Sequence, residues 1–334
     1  MINIGIIGLG YWGPNLLRNF TNSKKFKVSY VCDINKKNIN KISNKYKNII
    51  FINDYHKIIK DESIHAVIIA TPVKTHFKIA YEALKSKKHV FVEKPLADTS
   101  AKCKILINLA KKNSLSLFVD HTFLYTEAVM MLKEISAKKD FGKILYYDST
   151  RINLGLIQSD INVLWDLAVH DLAILNYIST DIPYLISAVG HKHFKSKPIT
   201  SAYMTIKYKS NFIAHINVNW LSPVKVRQTI VAGSKKMILY NDLEPSDKLR
   251  VFNKGVDIIK KDKSSNNLVN YKIGDTYLPN LKNKEALSLA VDEFYFSVKK
   301  NLPAKTDGIN GLQVVRILEA ADKSMKYNGK PIKL

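Results

Sequence analysis

Cysteine is almost absent from this chain of 334 residues: only Cys32 and Cys103 occur. Two thiols so few and so distant exclude a disulfide framework or a zinc site, and each reads as a small buried apolar residue. Arginine is nearly as scarce. It stands only at 18, 151, 227, 250 and 316, so 47 of the 52 basic residues are lysine. Readers of nucleic acid favour arginine, whose planar fork matches phosphates and base edges. The lysines are scattered from Lys24 to Lys333 in a chain also rich in Ile and Asn, the product of AT-rich codons. The net charge of +24 is therefore read as a solvated surface, with no nucleic-acid partner expected. A basic surface still attracts phosphorylated substrates. Apolar runs are short, and none reaches the ~18 residues of a membrane helix, so no membrane partner is expected. The start, MINIGIIGLGYWG, has no basic region before its apolar residues. It reads as a buried strand rather than a signal peptide, and a cytoplasmic location is expected. No H-x-x-x-H, H-x-x-E-H or carboxylate cluster suggests a metal.

The composition, 46% hydrophobic and 24% charged, is that of a globular protein. The length suits two domains. Up to about residue 122 strands and helices alternate. Strands are expected at Ile2–Gly8, Lys27–Asp33, Ala66–Ala70, His89–Val92 and Leu115–Val119, and helices at Pro14–Phe20, Lys36–Tyr46, Thr75–Ser86 and Thr99–Asn113. That alternation means βαβ units and a parallel sheet. Beyond it, helices are expected near Thr126–Lys138, Val163–Ser179, Lys284–Lys300 and Gly308–Met325. Between Leu185 and Phe252 come period-2 segments such as TSAYMTIKY and FIAHINVNW, which predict an antiparallel sheet with one covered face. The polar stretch Lys260–Asn270 reads as a surface loop. The expected fold is α/β: a dinucleotide-binding Rossmann domain over 1–122, then an α+β domain with an open, mainly antiparallel sheet over 123–334.

GLGYWG places Gly8, Gly10 and Gly13 in the G-x-G-x-x-G spacing, directly after a predicted strand and opening a predicted helix. The first glycine makes the turn, the second admits a pyrophosphate, and the third lets helix and strand pack. The helix N-terminus then offers N–H groups to the phosphates. Asp33 ends the next strand twenty residues after Gly13, where a carboxylate accepts from the adenosine ribose hydroxyls. It would repel a 2′-phosphate, and no arginine follows to offset it, so NAD is expected over NADP.

In a parallel sheet, ligands lie beyond the carboxyl ends of the strands. The strand at 89–92 runs into Glu93-Lys94-Pro95, which places Lys94 near a nicotinamide; a plain surface lysine is the competing reading. Thr71-Pro72 and His76 follow the strand at 66–70, and His121 follows the strand at 115–119. The expected cofactor contacts are Gly8, Gly10, Tyr11, Trp12, Gly13, Asp33, Thr71, Pro72, His76, Glu93 and Lys94. In the apolar segment VLWDLAVHDLAIL, Asp166 and His170 stand four residues apart, about 40° round one helix face. Burying such a pair away from a site would be costly, whereas a cleft gives it a use. His170 can exchange a hydroxyl proton near neutral pH and Asp166 can orient it. The bland alternative is an N-cap aspartate and a satisfied core histidine. Asp171 lies on another stripe and reads as structural. His121, Arg151, Asn153, Gln158 and Arg227 are weaker substrate candidates, the arginines because they suit a diphosphate.

Together, GLGYWG, ATP at 70–72 with His76, VEKPLA at 92–97, WDLAVHD at 165–171 and DGINGLQVVRILEAADKS at 307–324 resemble the glucose–fructose oxidoreductase / inositol dehydrogenase / rhizopine-catabolism superfamily. The resemblance covers nearly the whole chain and implies Lys94, Asp166 and His170 as the catalytic set. Many members carry glycines around the aspartate, where this chain has Asn162-Val163-Leu164-Trp165 and Ala168. Many also carry an arginine where it reads HTFLYTEA. HTFLYTEA, STRINLGLIQSDINVLWDLAVHD and NWLSPVKVRQTIVAG resemble the branch acting on nucleotide-linked sugars in surface-polysaccharide synthesis. The implied protein is a homodimeric or homotetrameric NAD-dependent oxidoreductase of a sugar or nucleotide-sugar ring carbon. The substrate would lie between Lys94 and the Asp166–His170 face. A dehydrogenase of free inositol or sugar, and a non-catalytic NAD-binding regulator, are the alternatives.

Overall fold

The computed structural model describes residues 1–259, 268–282 and 284–334. The chain forms two compact units. The first comprises Met1–Tyr125 and Lys284–Arg316, the second Thr126–Asn283 and Ile317–Leu334. The expected division at 122 falls close to the first crossing. The expectation leaves 284–316 in the second domain, however, whereas the structure packs that segment with the first.

In the first unit, β1 (Ile2–Ile7), α1 (Gly13–Asn22), β2 (Phe26–Cys32), α2 (Lys36–Asn40), β3 (Ile50–Ile52), α3 (His56–Lys60), β4 (Ala66–Ile69), α4 (Val73–Lys85), β5 (His89–Glu93), α5 (Ser100–Lys112) and β6 (Leu117–Asp120) follow in turn. The sheet is parallel throughout, in the order β3-β2-β1-β4-β5-β6. This is the doubly wound dinucleotide order, whose crevice opens where the order reverses between β1 and β4. β4 and β6 are buried at every position, as strands covered on both faces must be. The sequence reading did not locate β3 or α3. It also overran α2, which stops at Asn40 and is followed by a 3-10 turn at Ser43–Lys45. Phe294 explains the return of the late segment: its ring meets Phe20, Phe26, Phe91 and Phe118 in one aromatic cluster. Such rings dominate a core by area and by edge-to-face geometry.

In the second unit, α6 (Glu127–Ser136) and β7 (Ile144–Leu154) precede a π-helical turn at Leu164–Ala168, which runs into α7 (Val169–Ile178). The strands β8 (Pro183–His191), β9 (Ser201–Tyr208), β10 (Ile213–Asn219), β11 (Leu221–Gly233), β12 (Met237–Asn241) and β13 (Leu249–Phe252) follow. Then come β14 (Gly255–Ile259), β15 (Leu268–Lys272) and β16 (Thr276–Tyr277); the chain next supplies α8 (Ala286–Lys300) to the first unit, α9 (Gly308–Lys326) begins in the first unit and ends in the second, and β17 (Ile332–Lys333) closes the second. The large sheet runs β16-β13-β12-β11-β7-β10-β9-β8-β17 and is antiparallel except at β7–β10. Alternation decides its faces: Met204, Ile206, Ala214, Ile216 and Val218 are buried, while Tyr203 and Ile213 are exposed. β14 and β15 form a separate ribbon. Of the loop expected at 260–270, residues 260–267 lie outside the described residues, and Leu268 already begins β15.

Candidate active site

The glycine loop leaves β1 at its carboxyl end. Gly8 has φ +102, and a Cβ there would collide with the Ala70 carbonyl. A Cβ on Gly13 would collide with the Gly8 carbonyl, so the turn closes only on glycine. Gly10 faces open space, so of the three it is the glycine whose missing side chain the fold itself does not require. No side chain caps α1, Pro14 opens it, and no acid stands in its first turn. Its N-terminal dipole is thus directed at the loop without a competing anion. Asp33 is buried, and its carboxylate accepts from Leu9 N at 2.7 Å and Asn35 N at 2.7 Å. It therefore braces the glycine loop as well as standing where a ribose would lie. These features fit NAD: a Cβ-free cradle, an uncapped helix end and an acid at the end of the second strand. Tyr11 is 90% exposed, whereas Trp12 reaches across the sheet edge and donates Nε1–H to Asp120 Oδ2 at 3.1 Å.

Further along the same edge, the expected cofactor residues gather with one the sequence did not reveal. Thr71 and Pro72 follow β4, and His76 in α4 is fully buried. Its Nε2 lies 2.8 Å from Thr71 O and its Nδ1 2.8 Å from Pro95 O, so it ties the end of β4 to the Glu93-Lys94-Pro95 turn. Burial lowers its pKa despite those carbonyls, with Lys94 adding to the fall. Lys94 is half-buried. Glu93 and Asp120 are register partners at the ends of β5 and β6. Burial, then the charge of Asp120, raises the Glu93 carboxyl well above its usual range. Burial also raises Asp120, but it accepts from Thr122 Oγ1 at 2.6 Å and from Trp12. Two carboxyls so placed do not both ionise, and Asp120, with two donors, keeps the negative charge better. Asp120 was not singled out from sequence. The signal was an acid ending an all-apolar strand, the same signal that marked Asp33. His121 beside it is buried, and neither ring nitrogen has a hydrogen-bond partner among the described residues. Burial, then Lys94, pushes its pKa down to about 3, so it is a neutral imidazole with one donor and one acceptor to offer.

In the second unit the π turn changes the expected picture locally. The sequence predicts one α-helix over 163–179, but Leu164–Ala168 is π-helical, with Asp166 inside the wide turn. Such turns recur at functional sites. Asn162 Oδ1 accepts from the N–H groups of Leu164 and Trp165 and so caps it. Asp322 accepts from Asn162 Nδ2 at 2.7 Å and Trp165 Nε1 at 2.7 Å, anchoring the turn to α9. From 163 to 175 only Asp166, Leu167 and His170 are other than buried. Trp220, itself buried, donates its indole N–H to Asp166 Oδ2 at 3.1 Å. Neither Trp220 nor Asp322 was foreseen.

Arg151 is a correction. It is buried, and its guanidinium grips Asp171 at 2.9 and 3.0 Å, so its fork is committed to the protein rather than offered to a diphosphate. Asp171 also accepts from Ser149 Oγ at 2.8 Å, in keeping with its structural reading. Arg227 lies on β11 and donates to Asp242 at 3.1 Å. Asn153 is half-buried near the end of β7, and Gln158 is half-buried in the irregular stretch after it. Among the described residues no three His, Cys, Asp or Glu side chains gather as a metal site, and no helix is long and apolar enough to cross a membrane.

Comparison with known proteins adds two family matches. Residues 2–121 match the model described as an oxidoreductase family with an NAD-binding Rossmann fold, and residues 129–239 match the GFO/IDH/MocA C-terminal domain. A myo-inositol 2-dehydrogenase of Thermotoga maritima is 24% identical over 97% of this chain and 96% of its own length. A UDP-N-acetylglucosamine 3-dehydrogenase of Acidithiobacillus ferrooxidans is 25% identical over 75% of this chain and 76% of its own. A solved structure under that second name and organism superposes with a TM-score of 0.82 at 19% identity, covering 98% of both chains.

Proposed function

Since the chain belongs to the GFO/IDH/MocA family of NAD-binding oxidoreductases, we propose that it moves hydride between the nicotinamide and a ring carbinol carbon of a nucleotide-linked sugar. The observation that carries the catalytic part is that Asp166 and His170 are only half-buried within a stretch that is otherwise, Leu167 apart, wholly buried. When bound, NAD supplies the hydride acceptor or donor at C4 of its nicotinamide ring. The glycine loop and the N-terminus of α1 hold the pyrophosphate, and Asp33 holds the ribose. On oxidation His170 takes the hydroxyl proton as the carbinol loses hydride, and on reduction it returns it. Asp166, fixed by Trp220, orients the imidazole or the same hydroxyl and favours its protonated form. The Lys94 ammonium stabilises the developing alkoxide. The similarity to a UDP-N-acetylglucosamine 3-dehydrogenase supports a nucleotide sugar, and the similarity to an inositol dehydrogenase supports a free polyol as the second reading. The exposed apolar side chains Leu145, Tyr146, Val189, Tyr203 and Ile213 on the large sheet suit a homodimer or homotetramer.

The test is NAD⁺ reduction with UDP-N-acetylhexosamines, then with free inositol and glucose. Turnover of the nucleotide sugar, reduced ~10²–10³-fold in Lys94→Ala with NAD⁺ affinity retained, is the expected result. Reaction of the free polyols alone would overturn the nucleotide-sugar assignment. A Lys94→Ala variant as fast as wild type would overturn the mechanism.

A further inference from the structure

A cavity of about 490 Å³ opens in the second unit, walled by residues 159–162 on one side and by the loop from Lys192 to Ile199 on the other. Three lysines line it, Lys192, Lys195 and Lys197, against one acidic residue, Asp160. A few surface lysines are held by ion pairs, as in Lys25–Asp292, Lys102–Asp98 and Lys236–Asp140. None of the three cavity lysines has an ion-pair partner among the described residues. Ser159 and Ser196 add neutral hydrogen-bonding groups. Three like charges facing one hollow repel each other and attract a polyanion.

The cavity is also built into the frame that holds Asp166. Ile199 O accepts from Val163 N at 3.1 Å at the start of the π turn. Thr200 O accepts from Trp220 N at 3.0 Å, and Trp220 in turn donates to Asp166. Asn162, on the cavity wall, precedes Asp166 by four residues, and its carbonyl accepts from Asp166 N at 3.2 Å. We propose that this cavity takes the diphosphate of the substrate, with the sugar reaching from it towards Asp166. The proposal rests on the nucleotide-sugar reading and deepens it. The lysines supply the cations that Arg151, locked to Asp171, does not.

The test measures binding of UDP and of inorganic pyrophosphate by calorimetry, with NAD⁺ affinity as the check of fold. The variants are the triple Lys192→Ala/Lys195→Ala/Lys197→Ala and the single Asp160→Asn. At roughly two- to fivefold per exposed ion pair, the triple should bind UDP about 10–100-fold more weakly. Removing the lone opposing carboxylate in Asp160→Asn should tighten UDP binding about two- to fivefold. Pyrophosphate should compete with UDP, and both affinities should fall with added salt. If the wild type oxidises a UDP-sugar while the triple binds UDP as tightly as wild type, the cavity assignment is wrong and the functional reading stands. If the wild type neither binds UDP nor oxidises any UDP-sugar, the functional reading fails and this inference falls with it.

Discussion

Breaking the Arg151–Asp171 pair should destabilise the protein severely, and removing both partners should not. The two side chains are only 5% and 1% exposed, and two guanidinium hydrogen bonds of 2.9 and 3.0 Å join them. Burial works against the arginine's charge, but Asp171 more than offsets it and raises its pKa. Arg151→Met leaves the carboxylate buried with Ser149 as its remaining side-chain donor. An uncompensated charge of this kind costs about 3–5 kcal/mol. At about 2–4 °C per kcal/mol for a unit of this size, the midpoint should drop roughly 6–20 °C. Asp171→Leu strands the guanidinium and should cost a similar amount. The double variant removes both charges, so its cost should be well below the sum of the singles. Urea and thermal unfolding of the four proteins close the cycle. NAD⁺ affinity should hold in the folded variants, because Asp33 and the glycine loop belong to the other unit. A loss below about 1 kcal/mol for Arg151→Met, or additive singles, would refute the reasoning. Asp171 follows His170 directly, so turnover should fall in any single variant that still folds.

Three further outcomes are expected. NAD(H) should bind more tightly than NADP(H), and Asp33→Ala should narrow the gap while weakening both, since Asp33 also holds Leu9 N; tighter NADPH binding would contradict this. His121 and His89 have folded pKa values pushed down to about 3 and about 4, first by burial, from the ordinary histidine value of 6.5. The stability linked to their neutral forms is present above pH ~6.5 and lost as pH falls towards the folded values, about 2 kcal/mol each by pH 5, so a His121→Gln/His89→Gln double variant should lose less between pH 7 and pH 5 than wild type in urea titrations. Trp220→Phe keeps an aromatic side chain, though a smaller one, and deletes the N–H that reaches Asp166; it should lower kcat about tenfold with NAD⁺ affinity unchanged, and an unaltered kcat would remove Trp220 from the site.

What could be read from the sequence was local. The buried strands announce themselves because a parallel sheet covered on both faces needs continuous apolar runs, as in the fully buried β4. The glycine loop is legible because a φ of +102 at Gly8 and a collision at Gly13 each demand a missing side chain. Asp166 and His170 were paired by helical spacing, and the structure leaves both half-buried in one otherwise buried stretch even though a π turn intervenes. What escaped depends on partners far along the chain. Trp220 is 54 residues from Asp166, and Asp322 is 157 and 160 residues from the two side chains it holds. The Glu93–Asp120 pairing is set by strand register, which no single strand encodes. Phe294 is apolar wherever it packs, so nothing local assigned it to the first unit's aromatic cluster.

Arg151 is different, because the sequence did contain the clue. Tyr147, Ser149 and Arg151 share one parity on β7, and all three are buried. A strand alternates faces with period 2, so an arginine in register with a core tyrosine must point inward. An inward guanidinium needs a buried acid, and Asp171 on its separate helical stripe was the free candidate. The two readings, an arginine for a diphosphate and an aspartate of structural use, were halves of one ion pair. With that pair closed, a phosphorylated substrate would have to find its cations elsewhere in this lysine-rich chain, and the proposal gives that part to Lys192, Lys195 and Lys197, which line one hollow of the second unit.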